Sequence, residues 1–246
     1  MKKENKKNKI AIIGMGRFGI LLADLLSPYG EIFVISRKNI TKCKFKQIQY
    51  SDLGEMDIVI PAVPISKFEQ TLKDINKYLK PRSLVMDVCS VKVAPCRSMK
   101  KIIRKDVEIL GTHPMFGPDS AKNGCQGLQV VICPLRINEK RLKIIEGIFK
   151  ALELRIIYVT PAEHDRQVAK SLAFVHFLGR GLSLINLKNQ SITTLGFERL
   201  MAVNETVNND SKELFLDMQH YNPYSNKIRQ DFIKALIALN NEINKN

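Results

Sequence analysis

Hydrophobic positions change their rhythm along this chain near residue 160. Before that point they come in short unbroken runs: Ile10 to Ile13, Ile32 to Ile35, Ile58 to Ile60, Leu84 to Met86, Ile109 to Leu110, Val130 to Ile132 and Ile156 to Val159. A brief run that is apolar on both faces predicts a buried parallel strand. Between the runs lie stretches with helical spacing, among them Phe18, Leu21, Leu22 and Leu25, then Phe68 to Leu79 and Leu142 to Leu152. Strands alternating with helices predict an α/β fold with a doubly wound, mostly parallel sheet. After Pro161 the strands stop. Val168, Leu172, Val175, Leu178, Leu182 and Ile185 step by threes and fours, as do Phe232, Leu236, Leu239 and Ile243, so the last third is expected to be all-α. Three segments result: a basic mobile tail over 1–9, an α/β domain over 10–160 and a helical domain over 161–246. A helical bundle of that size is small for independent folding, and a second subunit is expected to complete it.

Composition limits the possible classes. With 45% hydrophobic and 26% charged residues, the chain lies far from disordered compositions. No stretch approaches the roughly 18 apolar residues of a membrane span, and no apolar stretch suited to secretion follows the lysine-rich start. A soluble, cytoplasmic protein with no membrane partner is expected. The cysteines, Cys43, Cys89, Cys96, Cys125 and Cys133, form no CxxC pair, so each is read as a buried thiol and no metal site is expected. Lysine and arginine total 39 against 24 acidic residues, a formal charge of +15. Such a surplus raises the possibility of a nucleic-acid partner. The chain has no recognisable nucleic-acid motif and no tryptophan, which argues against a specific one.

Between the first strand and its helix stands Gly14-Met15-Gly16-Arg17-Phe18-Gly19, a GxGxxG loop. In this context the first glycine permits a tight turn, the second lets the backbone approach a pyrophosphate, and the third allows close helix–strand packing. The helix N-terminus then offers donors and a positive dipole end to the phosphates, with Arg17 beside them. At the end of the second strand, where NAD-specific loops carry a carboxylate, the sequence reads Ser36-Arg37-Lys38. Arg37 suits a 2′-phosphate, with Ser36 and Lys38 beside it, so NADP is expected over NAD.

Two further segments carry candidate chemistry: Asp87-Val88-Cys89-Ser90-Val91-Lys92 and Gly111-Thr112-His113-Pro114-Met115-Phe116-Gly117-Pro118. Each follows a predicted strand, on the side where open α/β sheets bind ligands. Read by itself, Ser90 is a helix N-cap. At these residues the sequence resembles the prephenate/arogenate dehydrogenase family of tyrosine biosynthesis. The resemblance extends through the glycine loop, Ala62-Val63-Pro64, Glu163-His164-Asp165, the HFLGR stretch from His176 to Arg180, and Asp210-Ser211 leading to Leu214-Phe215. It implies an NADP-binding Rossmann domain, a dimerising helical domain, and oxidative decarboxylation of a cyclohexadienol bearing two carboxylates. It further implies His113 as general base with Ser90 beside it, and Val63 and Pro64 at the cofactor.

In the helical part His176 and Arg180 are four apart and share a face. They are read either as a substrate-carboxylate pair or as structural residues, Arg180 in an ion pair or interface. His164 and Asp165 begin this helix and are expected to order the domain junction, with substrate contact as the alternative, and His220 is expected to lie exposed at a helix end. The prephenate-type arginine of a later helix has no match around Thr206 or Leu216, and the GFERL, DSKELF and NP features between Gly196 and Pro223 resemble plant-type arogenate dehydrogenases. The expectation leans to arogenate, in a compact form without a chorismate mutase extension. Alternatives are another NADP-dependent reductase or 3-hydroxyacid dehydrogenase, and a non-catalytic NADP(H)-sensing or nucleic-acid-binding protein. Of the charge surplus, +4 falls in the first nine residues. Arg17, Arg37, Lys38, Lys92 and Arg180 are expected to line a positive cleft.

Overall fold

A computed structural model describes residues 7–37 and 43–245. Lys38 lies outside the described residues, as do the first six of the tail. The chain divides into two compact units, Met1–Pro161 and Ala162–Asn246.

The first unit is built on one sheet. Its strands are β1 (Asn8–Ile13), β2 (Gly30–Ile35), β3 (Lys46–Gln47), β4 (Ile58–Pro61), β5 (Leu84–Asp87), β6 (Glu108–Pro114), β7 (Gln129–Arg136) and β8 (Arg155–Tyr158). They lie in the order β3-β2-β1-β4-β5-β6-β7-β8. The first six give the 3-2-1-4-5-6 order of a dinucleotide-binding fold, with its switch point between β1 and β4. Helices α1 (Arg17–Leu26), α2 (Ile65–Asn76), α3 (Val93–Ile102) and α4 (Glu139–Ala151) cover the two faces. Alternate strand residues explain how. Ala11, Ile13, Val59, Val85 and Ile109 pack with Phe68 and Leu72 of α2 and Met99 of α3. Their neighbours Ile10, Ile12, Ile58, Ile60, Met86 and Leu110 join Leu22 and Leu26 of α1 and Ile145 and Phe149 of α4. Unbroken apolar runs therefore follow from two buried faces at a side-chain period of two.

Three local features differ from the expectation. β1 begins at Asn8, so Asn8 and Lys9 belong to the sheet and not to the tail. The Lys9 amide donates to Asp57 Oδ2 at 3.0 Å and its ammonium pairs with Glu55 at 2.8 Å, which lets polar residues open a strand. β7 runs antiparallel to β6, with His113 opposite Val131 and a register shift between Ile109 and Leu110. A two-residue edge strand, β3, adds to β2 beside Phe33 and Val34.

The second unit is helical: α5 (Pro161–Val168), a π-turn (Ala169–Ala173), α6 (Phe174–Leu184), α7 (Leu195–Asn208), α8 (Lys212–Tyr221) and α9 (Ser225–Ile243). Pro161 stands at the first helical position, where its missing N–H costs nothing. His164 Nδ1 lies 2.7 Å from Asp165 Oδ1, both side chains being buried, and Asn222 Nδ2 donates to the Asp165 carbonyl at 2.8 Å, tying α5 to the end of α8. Phe174 and Phe232 meet edge to face at 4.9 Å, joining α6 to α9. At Gly179 a Cβ would come within 2.5 Å of Val207 Cγ2, so α6 and α7 approach closely there. His220 is exposed near the end of α8. Leu184, Ile185, Ile192 and Ile243 are 67% to 92% exposed. No helix among the described residues is long and apolar enough to cross a membrane.

Candidate active site

The glycine loop takes its shape from its neighbours. Gly14 has φ +103°, and a Cβ there would collide with the Ala62 carbonyl oxygen; a Cβ at Gly19 would strike the Gly14 carbonyl. Both positions exclude any other residue. At Gly16 a Cβ would meet nothing within 4 Å, so the loop leaves open space at its middle glycine. Gly16 caps α1 without a side chain, and no acidic residue lies in the first turn. The uncapped donors of α1 thus face an open cradle, which fits a pyrophosphate. Phe18 packs into the core beneath, and the exposed Arg17 pairs with Asp119 at 2.7 Å.

Ser36 and Arg37 follow β2 directly. Gln47 Nε2 of β3 donates to the Ser36 carbonyl at 3.3 Å, while Arg37 is exposed. Val63 and Pro64 follow β4, with Val63 Cγ1 beside the Gly14 turn and Pro64 capping α2. These residues and the glycine loop therefore lie at the C-terminal strand ends around the switch point, the place where such sheets hold ligands.

Ser90 and His113 come from the adjoining parallel strands β5 and β6, in register at Asp87 and Gly111. A fully buried ion pair welds the two. Lys92 Nζ donates to both Asp87 oxygens at 2.5 Å and to the Thr112 carbonyl at 2.6 Å, and Thr112 Oγ1 donates to the Asp87 carbonyl at 2.5 Å. The Cys89 amide donates to Asp87 Oδ1 at 2.7 Å, fixing the turn that carries Ser90. Burial pulls the Lys92 ammonium down in pKa, but the Asp87 carboxylate more than offsets this, and the net shift is upward. Burial pushes the Cys89 thiol well up, reinforced by the Asp87 charge, so it stays protonated. Two expectations are corrected here. Lys92 lies inside the sheet as the partner of Asp87 and is not a cleft charge. Ser90 is not the N-cap: α3 is capped at Lys92 with no side-chain bond, and the buried Ser90 Oγ has no hydrogen-bond partner.

In the helical unit Arg180 Nη2 donates to the carbonyls of Val207 at 3.1 Å and Asp210 at 2.6 Å, and the guanidinium lies 5.0 Å from the centre of the Phe215 ring. The residue therefore caps the end of α7 through one nitrogen, while its buried Nε has no partner. His176 is 6% exposed; its Nε2 lies 3.7 Å from Asp210 Oδ2, and its Nδ1 is unpartnered. Burial, helped by Arg180 and opposed by Asp210, holds its pKa below the usual 6.5.

The spacing in sequence gave no hint of the Asp87–Lys92 pair, of Asp119 or of the place of Asp210 beside His176. Among the described residues no group of three or more His, Cys, Asp or Glu could hold a metal ion. Cys89, Cys96, Cys125 and Cys133 are buried and Cys43 half-buried, all as free thiols.

The sequence model of the prephenate dehydrogenase nucleotide-binding domain matches residues 33–158, more than half of the chain, and that of the TYRAAT1-like C-terminal domain matches residues 181–246. Arogenate dehydrogenase 1 of Arabidopsis thaliana, a chloroplastic protein, is 30% identical over 98% of this chain, which spans 40% of that relative's length. Arogenate dehydrogenase 2 of the same plant is 32% identical over 91% of this chain and 67% of its own. A crystal structure of prephenate dehydrogenase from A. aeolicus, in complex with hydroxyphenyl propionate and NAD+, superposes with a TM-score of 0.77 at 19% identity, covering 99% of this chain and 93% of that one. The chain belongs to the prephenate dehydrogenase family, which includes the arogenate dehydrogenases.

Proposed function

We propose that the protein catalyses NADP-dependent oxidative decarboxylation of arogenate, with prephenate as the alternative substrate, and acts as a homodimer through its C-terminal helices. One observation carries this reading. Four buried side-chain polar atoms among the described residues lack both a hydrogen bond and an ion pair: Ser90 Oγ, His176 Nδ1, Arg180 Nε and Ser225 Oγ. Buried polar groups are nearly always satisfied, because an unmet one costs about 1–3 kcal/mol. Three of the four belong to Ser90, which the family resemblance puts beside the base, and to His176 and Arg180, whose spacing suits a carboxylate pair, so a ligand that supplies their partners accounts for the cost.

When bound, the nicotinamide supplies the hydride acceptor. Gly14, Gly16 and Gly19 shape the cradle for the pyrophosphate, with Arg17 and Phe18 alongside and Val63 and Pro64 flanking the turn. Ser36 and Arg37 meet the 2′-phosphate, and no carboxylate stands between them to repel it; NAD is the alternative. A ring nitrogen of His113 takes the substrate's hydroxyl proton, a role worth roughly 10²- to 10⁴-fold in rate. Ser90 hydrogen-bonds beside it, and His176 and Arg180 hold a carboxylate. The ring carbon loses hydride, the hydroxyl gives its proton to His113, the bond to the ring carboxylate breaks as carbon dioxide leaves, and the electron pair it releases makes the ring aromatic, its oxygen then recovering the proton as a phenol. Asp210 favours arogenate, since a carboxylate 3.7 Å from His176 suits the ammonium of an amino acid and offers nothing to a keto acid. The strongly exposed Leu184, Ile185 and Ile243 suit a face covered by a second copy.

The test crosses arogenate and prephenate with NADP and NAD, following reduced cofactor by absorbance. Turnover is expected to be highest with arogenate and NADP, and to fall at least about a hundredfold in His113→Asn. Inactivity in all four combinations would overturn the activity, and a His113→Asn rate within a few-fold of wild type would remove His113 as the base.

A further inference from the structure

The Arg17–Asp119 pair joins two places that the sheet keeps apart. Arg17 opens α1 immediately after the glycine loop of β1, whereas Asp119 lies in the connection from β6 to β7. β4 and β5 stand between β1 and β6. At the usual strand spacing the two strand ends are therefore about 14 Å apart. The contact at 2.7 Å consequently crosses above the ends of β4 and β5. A dinucleotide that rests its pyrophosphate on the glycine loop and reaches Ser90 and His113 with its nicotinamide follows the same line.

Two properties make the contact exchangeable. Its side chains are 50% and 39% exposed, so solvent screens the pair and its worth is small. Asp119 does not depend on Arg17 for its place, because Ser120 Oγ accepts from the Gly117 amide at 2.9 Å and donates to the Gly117 carbonyl at 3.2 Å, closing the turn around it. A pyrophosphate in the cradle carries more charge than one carboxylate and gains the donors of α1 as well.

We propose that Arg17 exchanges Asp119 for the nucleotide's pyrophosphate on binding. Asp119 is then a resident competing anion that lowers nucleotide affinity, and the connection that follows His113 is tied to the groove only while the groove is empty. The inference rests on the nucleotide site proposed above and adds what regulates its occupancy.

The experiment is calorimetric titration of the whole chain with NADP and with NAD, for wild type, Asp119→Asn, Arg17→Gln and the double variant. Asp119→Asn is expected to bind either nucleotide about two- to fivefold more tightly, the range set by an exposed ion pair. Arg17→Gln is expected to bind more weakly, and adding Asp119→Asn to it should change nothing. Unchanged or weaker binding by Asp119→Asn, or equal tightening with and without Arg17, would overturn the exchange. Absence of nucleotide binding by all four proteins, each with a wild-type melting transition, would overturn the nucleotide site itself and the exchange with it.

Discussion

Replacing Lys92 by methionine keeps most of the side chain's length and removes its charge. In the native protein the Lys92 and Asp87 side chains are both 0% exposed, and the ammonium serves both carboxylate oxygens and the Thr112 carbonyl. The variant leaves a buried carboxylate that still accepts from the Cys89 amide. Breaking a buried pair on one side costs about 3–5 kcal/mol. With a slope of about 3 kcal/mol per molar, the urea midpoint of the α/β unit, followed by circular dichroism, should fall by about 1–1.7 M. The pH dependence has a definite sign. Burial already raises the Asp87 carboxyl, opposed by Lys92 and the Cys89 amide, so losing Lys92 raises it further. A carboxyl whose folded pKa exceeds its unfolded value of about 3.9 binds its proton more tightly in the folded state. The deficit should therefore be smallest near pH 4 and grow as pH rises toward the folded pKa. Adding Asp87→Leu to Lys92→Met should recover most of the loss, since an apolar pair avoids the stranded charge. A deficit under about 1 kcal/mol at pH 7, the worth of an exposed pair, would refute the reasoning.

Arg37→Asp should weaken NADP binding roughly 10- to 100-fold, the worth of one charge-assisted contact, while leaving NAD binding level or better; an unchanged preference would remove Arg37 from the 2′-phosphate. Gly179→Ala brings a Cβ to 2.5 Å from Val207 Cγ2 and 3.5 Å from Asn204 Cα, so α6 and α7 must part at a cost of about 1–3 kcal/mol. Gly181→Ala, where a Cβ meets nothing within 4 Å, should instead stabilise the helix by about 0.5–1 kcal/mol, and equal melting temperatures for the two variants would refute the close approach. His176 is held below its usual pKa by burial, with Asp210 opposing and Arg180 adding to the shift, so the folded chain binds its proton less tightly than the unfolded chain does. Stability should therefore decline as pH falls from about 6.5 toward the folded value, and His176→Gln should flatten that part of the profile in urea midpoints.

Among the described residues the apolar runs disclosed seven of the eight strands: six are largely buried on both faces and leave a continuous signal of their own, and the edge strand β8 shows through the half-buried Ile156 and Ile157. β3 left none: Lys46 and Gln47 are exposed edge residues whose ladder depends on Phe33 and Val34 elsewhere in the chain. The reversed direction of β7 was equally invisible, since Val130 to Cys133 has the same two buried faces whichever way it runs. The glycine loop and the HPMFGP stretch were expected at C-terminal strand ends, and both segments lie there, because backbone geometry restricts those residue types locally. Lys92 was misplaced for the opposite reason. Asp87 is only five residues away, but the pair is buried, and gains the Thr112 carbonyl, only once β6 lies beside β5, and lysines are almost never fully buried without such a partner.

The same distinction explains the charge surplus. Several arginines are engaged by carbonyl groups, which contribute no formal charge. Arg104 donates to the carbonyls of Asn76 and Leu79 just after α2, and Arg136 to those of Ile103, Arg104 and Val107 beyond α3. Arg180 does the same after α7. Each guanidinium meets the negative end of a helix dipole and satisfies carbonyls that the helix leaves open. Arg104 also pairs with Asp106 at 3.1 Å, whereas Arg136 and Arg180 are answered by carbonyls, and an arginine answered in that way raises the count of basic residues without needing an acidic one. A net charge of +15 thus partly records how helix ends are closed, and the portion available to anionic ligands is smaller than the total. Lys92, neutralised inside the sheet, and Arg17, exposed and paired with an exchangeable carboxylate, mark the two extremes of that division.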